Sequence, residues 1–531
     1  MSELNKQKAI DIAERGSDEE VAKHLRKMTK VDRRVVSRKE TIGYMLFDGS
    51  AGFNIDGQKE LFVDSILQIG LNKQSLFNTF AGIWDVVDDI IIGGIIEKTR
   101  TRWGKFVPYF FFTGLPFALL VSLYWLLPLF FSAEHVANPD YIPKFIAYIV
   151  LELLMETVGN FKAVATAGYL STITPYPSDR RRLLAVTKYC NLFYAGLPNT
   201  IIEFLLDFIT NGLIKAKPGR TSADMIKWTL VILGPFTGIV AGLVVMWYST
   251  VAKERVHQSI EIPRIRDSLR VVFSNKPLLM YMFSNALGSF NTGIHTNNYY
   301  RWVLFMTTFE TFAGIPSVAF QPLGFSKYNK LATKYSTKTL YMLGHTVPKM
   351  CYIPVYLYGM IFKDKEGKRF FQNRIPMLPI TALWEIVFAS FQGITSISGD
   401  EIRNECNDYI EWKTGCRNEA TLSVASTILC KIPARLNNII TPKLKLWIGY
   451  DPTAYPEMRP QPEKTQRYIF AMCTIFPAVL SILTILPMFA YKIDKATRDK
   501  MYVELNERRS AIAEKITEED NADSADPDYG N

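Results

Sequence analysis

Long apolar runs limit what this chain can fold into. Residues 107–132, 228–251 and 468–488 are almost wholly hydrophobic, and each is long enough to cross about 30 Å of hydrocarbon as a helix. Composition alone conceals this. Across 531 residues the hydrophobic share is 48%, an ordinary value for a soluble protein, and the mean hydropathy is only +0.05. Polar tails, charged loops and several spans rich in polar residues account for the low mean.

One apolar run carries charge where none is expected. Between Trp84 and Ile96 lie Asp85, Asp88 and Asp89, and this spacing puts all three on one helix face. A carboxylate at membrane depth costs about 3 kcal/mol or more, so it faces a cavity or a partner and carries function. Three on one face cannot all stay ionised without a cation or a basic partner. The pattern therefore points to a cation site in a transporter.

Twelve spans can be drawn, at 42–70, 76–97, 107–132, 143–173, 183–213, 224–251, 277–305, 309–328, 338–362, 375–398, 419–447 and 466–491. Span one is the least apolar, and hydropathy alone does not identify it. Basic loops follow the even-numbered spans: Lys98, Arg100, Arg102 and Lys105; Arg180, Arg181 and Arg182; Lys253, Arg255, Arg264, Arg266, Arg270 and Lys276; Lys327, Lys330, Lys334 and Lys338. The positive-inside bias places these loops, and both termini, in the cytoplasm. The loop at 363–374 is a counter-example, being basic on the expected outer side. The same membrane explanation accounts for the net charge of +10, so nucleic acid is not an expected partner.

The expected organisation is an N-terminal tail (1–41), a six-span half (42–251), a central linker (252–276), a second six-span half (277–491) and a tail ending in acidic residues (492–531). A weak internal echo supports the division. Gly94, Glu97, Arg100, Arg102 and Lys105 follow span two, and Gly324, Lys327, Lys330 and Lys334 follow span eight. Duplicated halves around a central site are the recurrent plan of secondary transporters. The N-terminus lacks the short apolar core of a secretory signal. The six cysteines lack metal-ligand spacing and read as reduced or buried thiols.

Four patches in order carry a family resemblance. They are Gly43-Tyr44 with Asp48; Trp84-Asp85 with Asp88-Asp89, followed by Arg100 to Lys105 and Pro108-Tyr109; Thr172-Ile173-Thr174 with Asp179-Arg180; and Asp408-Tyr409 with Glu411 to Gly415. Together they resemble the glycoside–pentoside–hexuronide:cation symporters, a major facilitator family that includes bacterial melibiose permease. The resemblance implies an all-α membrane protein with twelve transmembrane helices in two six-helix halves, the major facilitator fold.

On this resemblance Asp85 and Asp89 are principal ligands of the coupling cation, with Asp88 at a position often held by Asn. Asp85 and Asp89 would ligate sodium if sodium is the coupling ion. Asn160 falls where the family has a polar cation-site residue, and Lys431 matches a lysine placed beside that site. The sugar-binding aspartates of melibiose permease are missing, with Ala51 and Ala163 near their positions. Lys162, beside Ala163, offers positive charge instead, to a substrate carboxylate or to Asp88.

Other candidate substrate-facing residues are Asp48, Asp56 and Lys59 in span one and His295 and Asn298 in span seven. Asp56, Glu60 and Asp64 recur every four residues, which would stack them on one helix side as a polar wall with Lys59 three residues from Asp56. The polar run from Asn291 to Trp302 breaks up span seven, and its amides and aromatic rings suit sugar hydroxyls and ring faces. Glu385, Lys349 and Arg435 are further charges inside spans, for which pairing is the only role read from sequence.

No phosphate-binding Gly-rich loop, zinc-protease motif or nucleophile elbow is present, so ATP hydrolysis and enzyme chemistry have no motif behind them. The expectation is a monomeric, multi-pass protein of a bacterial inner membrane, with both termini cytoplasmic. It would couple a sugar, glycoside or hexuronide to Na+ or H+, with no cofactor, no nucleic acid and only membrane lipids as further partners. Rival readings are a lysolipid carrier of the same fold and a non-transporting sugar sensor.

Overall fold

A computed structural model describes residues 35–255 and 275–507, apart from 100, 171, 175–176, 216–217, 415–418, 494–496, 499 and 506. The side chains of some residues inside helices, Asp89 and Lys431 among them, also lie outside the described residues. The regular structure of the described residues is all helical, with no strand and only the isolated bridges Thr101–Gly104 and Lys363–Arg369.

The helices before the linker are α1 (Arg38–Gly49), α2 (Leu71–Lys98), α3 (Val107–Leu126), α4 (Ile142–Tyr169), α5 (Pro177–Tyr194), α6 (Leu197–Thr210) and α7 (Ser222–Val251). Those after it are α8 (Lys276–Ser289), α9 (Thr296–Trp302), α10 (Phe309–Gly314), α11 (Gln321–Lys334), α12 (Thr337–Met350), α13 (Tyr352–Ile361), α14 (Arg374–Thr414), α15 (Glu419–Ile448) and α16 (Glu463–Phe489). Among the described residues, four helical segments are long and apolar enough by themselves to cross a membrane: Val107–Leu129, Ser222–Val251, Arg374–Lys413 and Glu463–Phe489.

Several spans drawn as single helices are interrupted. Span one is helical only to Gly49. It resumes as a 3-10 turn at Asp56–Gln58, one α-turn at Lys59–Leu61 and a π-helical turn at Phe62–Ile66. The expected stacking of Asp56, Glu60 and Asp64 on one regular helix is therefore corrected. Asp56 pairs locally with Lys59 at 3.4 Å, while Glu60 and Asp64 both reach Lys445. Span five divides at Ala195 and Gly196, ahead of Pro198, and span nine divides at Cys351, between Pro348 and Pro354. Span seven breaks as its polar run suggests. Gly293 adopts φ +68°, and a Cβ there would lie 1.8 Å from the Thr441 hydroxyl, so glycine is required on both counts.

Span ten departs in the other direction. α14 runs unbroken for 41 residues, about 60 Å at the usual helical rise, and exceeds the thickness of a bilayer. The patch around Asp408 and Trp412 is thus the last turns of this helix.

Helix packing repeats along the chain. In the first group α3 packs on α7 and α4, α1 on α5 and α7, and α2 on α4. In the second, α12 packs on α16 and α14, α8 on α15 and α16, and α11 on α14. The α3–α7 contact is among the tightest. A Cβ at Gly242 would sit 2.6 Å from the Gly114 carbonyl oxygen, so the backbones approach too closely for any side chain.

Outer faces are strongly apolar. Phe112 is 63% exposed and Phe236 56%, which for a folded protein marks a surface meant for lipid. Buried apolar side chains show where the groups meet. The largest cluster draws on both, joining Phe62, Trp125 and Ile202 to Trp302, Tyr455 and Phe470. Clusters nearer the basic loops, around Phe110 and Tyr248 or around Tyr281 and Met488, each stay within one group. The groups therefore close on each other at the end away from the basic loops.

Gly242→Val is expected to destabilise the α3–α7 contact by about 1–3 kcal/mol, the usual cost of overpacking, seen as a lower melting temperature of the purified protein. Gly94→Ala, where nothing lies within 4 Å of the added Cβ, is the control and is expected to show no loss.

Candidate functional site

A cavity of about 730 Å³ opens mainly among α1, α2, α3, α4 and α7, with Arg435 and Asn438 of α15 completing its wall. That volume suits a small polar solute. Ala51 and Ala163, the positions where sugar-binding acids are missing, both line it. Asp48, Asp56, Lys59 and Lys162 line it too, joined by Glu152 and Glu156 of α4.

Lys162 projects from α4 toward span one. Its ammonium donates to the Ser50 hydroxyl at 3.2 Å and lies 5.5 Å from the centre of the Phe47 ring. Among the described residues no carboxylate comes within ion-pair distance of it. Asp48 accepts a hydrogen bond from the Asn191 amide at 2.6 Å. Lys59 pairs with Asp56 and lies 5.7 Å from the centre of the Tyr124 ring.

The aspartate face of α2 meets α4 and α15. Asn160 donates to Asp88 at 3.1 Å, which brings together two residues named from sequence. Asp85 is held by the Arg435 guanidinium at 2.7 Å, and the same nitrogen reaches Glu156 at 2.8 Å. Asp85 and Asp88 are each only 4% exposed. Lys431, the partner expected from the resemblance, stands one turn before Arg435 on α15; its side chain and that of Asp89 are outside the described residues. Among the described residues no group of three or more His, Cys, Asp or Glu is placed to hold a metal ion.

Sequence reading missed Glu156. The signal was present, since Glu152, Glu156 and Asn160 recur every four residues along α4. Arg435 was noticed, but without its partners.

His295 and Asn298 do not line the cavity. They belong to a polar seam that closes the far end. Lys445 of α15 is 3% exposed and sits between Glu60 and Asp64, 2.5 Å from each. Asn298 donates to Glu60 at 2.6 Å, and Arg301 donates to Gln58 at 2.6 Å. The His295 backbone N–H donates to the Asn298 side chain at 3.0 Å, and its carbonyl accepts from the Cys473 thiol at 3.1 Å. Asp207 adds four bonds from Thr307 and Thr308. Arg374 donates to Asn211 and to the Leu304 and Phe305 carbonyls, which gives part of the anomalous basic loop a structural task.

An all-helical body with lipid-facing sides and a charged central cavity is the architecture of a membrane carrier. Residues 41–495 match the family described as MFS/sugar transport protein, and the chain belongs to that family, within the glycoside–pentoside–hexuronide type of the major facilitators. It is an integral membrane transport protein, not an enzyme. It is 21% identical over 437 residues to an isoprimeverose transporter of Lactiplantibacillus pentosus, covering 81% of this chain and 82% of that one. A glucuronide carrier protein homolog of Escherichia coli is 23% identical over 72% of this chain and 78% of its own. A lactose permease of Lactobacillus delbrueckii subsp. bulgaricus is 23% identical over 69% of this chain, and the match spans only 55% of that protein.

Lys445→Met leaves Glu60 and Asp64 without their shared cation, at a cost of about 3–5 kcal/mol to the closed seam. A cysteine introduced at Ser65, whose hydroxyl now bonds the Pro452 carbonyl, is expected to react much faster with a membrane-impermeant maleimide in that background. Unchanged labelling would show that Lys445 does not hold the seam.

Proposed function

We propose that the chain is a secondary active symporter that couples a sugar, glycoside or hexuronide to Na+ or H+ by alternating access. The observation that carries this reading is Arg435, which reaches from α15 to Glu156 at the cavity wall and to the buried Asp85 behind it. On this reading the repeated packing reflects two six-helix halves and twelve spans in all. The basic loops and both termini face the cytoplasm of a bacterial cell, the seam closes the outer side, and the cavity is open inward. The protein works as a monomer, with membrane lipids around it and no cofactor. The names of the relatives, which include a lactose permease, an isoprimeverose transporter and a glucuronide carrier homolog, support a saccharide substrate.

Coupling follows from charge. A cation bound on the Asp85, Asp88 and Asp89 face competes with Arg435 for Asp85 and so biases how the halves meet. A substrate in the adjoining cavity biases the same equilibrium, and the two effects are reciprocal. Lys162 is the substrate-specificity residue. Asn160 already occupies Asp88, whereas Lys162 meets Ser50, the Phe47 ring and, beyond ion-pair distance, the Asp48 carboxylate, an arrangement that favours a substrate carboxylate over neutralisation of Asp88.

Proteoliposome uptake tests both parts. Asp85→Cys and Asp89→Cys are each expected to lower cation-driven accumulation about a hundredfold, the scale of removing a buried charged ligand. Retained uphill uptake in both variants would overturn the cation site. Lys162→Gln is expected to cut uptake of a glucuronide about tenfold or more while sparing the matched neutral glucoside, as for one lost charge-assisted hydrogen bond. Equal loss for both solutes would remove Lys162 from substrate recognition.

One observation favours a second reading. An apolar recess of about 460 Å³ between α2 and α4 meets the cavity at the buried Phe77, and its lining of apolar side chains suits an acyl chain. Competition of saccharide uptake by lysolipids would support a lysolipid carrier.

A further inference from the structure

The repeated packing produces a second cavity, of about 390 Å³, wholly within the C-terminal group among α8, α12 and α14. These helices hold the positions that α1, α3 and α4 hold around the main cavity. Among the described residues no Asp or Glu lines it.

Four of the side chains on its wall, Asn285, His345, Lys349 and Gln392, carry nitrogen donors. Lys349 of α12 faces the cavity, and no hydrogen bond or ion pair engages its ammonium among the described residues. The Asn285 side-chain oxygen is already taken by the Tyr341 hydroxyl at 3.0 Å, and its amide nitrogen, one N–H of which is tied to the Tyr281 hydroxyl, keeps a second N–H for the cavity. The Gln392 oxygen likewise accepts from Gln321 at 3.1 Å, so its nitrogen is the free end. His345, one turn before Lys349, uses Nδ1 on the Tyr341 carbonyl at 3.1 Å and leaves Nε2 for the cavity. An ammonium kept within a membrane protein without an acid is costly unless something negative meets it.

We propose that this cavity is a second, independent binding site for a small carboxylate, with Lys349 as the charged anchor and the Asn285 and Gln392 amides as orienting donors. Two carboxylate oxygens suit one ammonium and two amide nitrogens. The site also touches the coupling machinery. Ser289, on its wall, accepts through its carbonyl from Asn437 at 2.8 Å, two residues from Arg435 on α15. Occupancy therefore bears on the helix that holds Asp85. The proposal does not depend on Lys162 binding substrate.

The test is equilibrium dialysis of radiolabelled D-glucuronate against the full chain in lipid nanodiscs, with D-glucose as the neutral control. In a Lys162→Gln background a saturable glucuronate site is expected to remain. Adding Lys349→Gln should weaken it about tenfold or more, the scale of one hydrogen bond to a charged group, and Lys349→Arg should restore it. If Lys162 plays no part in binding, Lys349→Gln in the otherwise native chain should still lower the number of bound glucuronates by about one. Melting temperature shows whether each variant is folded. Should Lys349→Gln change neither affinity nor stoichiometry, or should no saturable site remain beside the Lys162→Gln change, the second site is overturned.

Discussion

A buried charge at membrane depth is costly without a partner, and for Asp85, Glu60 and Asp64 in this protein the partner comes from the other group of helices. Arg435 and Glu156 are half-buried at the cavity wall and Asp85 is buried, and each charge of the triad offsets the cost of the others. The contact of α15 with α2 and α4 is therefore more than packing. It joins the two helix groups through an ion triad, two members of which, Arg435 and Glu156, line the main cavity. Nearer the closed end, Lys445 repeats the arrangement with Glu60 and Asp64, and the bonds of Asn298, Arg301 and Asp207 continue the seam to its rim.

These links have the energetics of a reversible contact. Replacing a buried ion pair by matched apolar residues is often neutral or stabilising, so such pairs are weak devices for permanence. They are well suited to a joint that must open, because water and ions take over each partner's hydrogen bonds as the groups part. The apolar contacts follow the same division. Within a group, α3 and α7 touch backbone to backbone at Gly114 and Gly242, a fit no alternating motion would disturb.

Much of this was legible in the sequence. Apolar runs, alternating basic loops and the aspartate face of span two fixed the class of protein, and the patches from Gly43 to Gly415 fixed the family. The breaks were partly legible: Gly293 in a polar run announced one, whereas the π-helical turn at Phe62–Ile66 did not, because it depends on where Lys445 pulls Glu60 and Asp64. Pairing was the least legible. Arg435 lies hundreds of positions from Asp85 in the chain, and nothing in local spacing selects it over Lys431. His295 and Asn298 looked like sugar contacts because amides and rings suit sugars, but the same groups serve equally well to tie one helix end to another.

Every charged pair that crosses between the groups, among the described residues, has its base on the C-terminal side and its acid on the N-terminal side. This polarity gives the seam a memory of which face is which. Once the groups part at that end, the N-terminal wall bears Glu60, Asp64, Asp85 and Glu156 with their bases withdrawn. Such a wall focuses the local field and gathers mobile counter-ions from solution. The opened mouth would then be a sink for small cations before any solute arrives, and its pull would fade as added salt screens it.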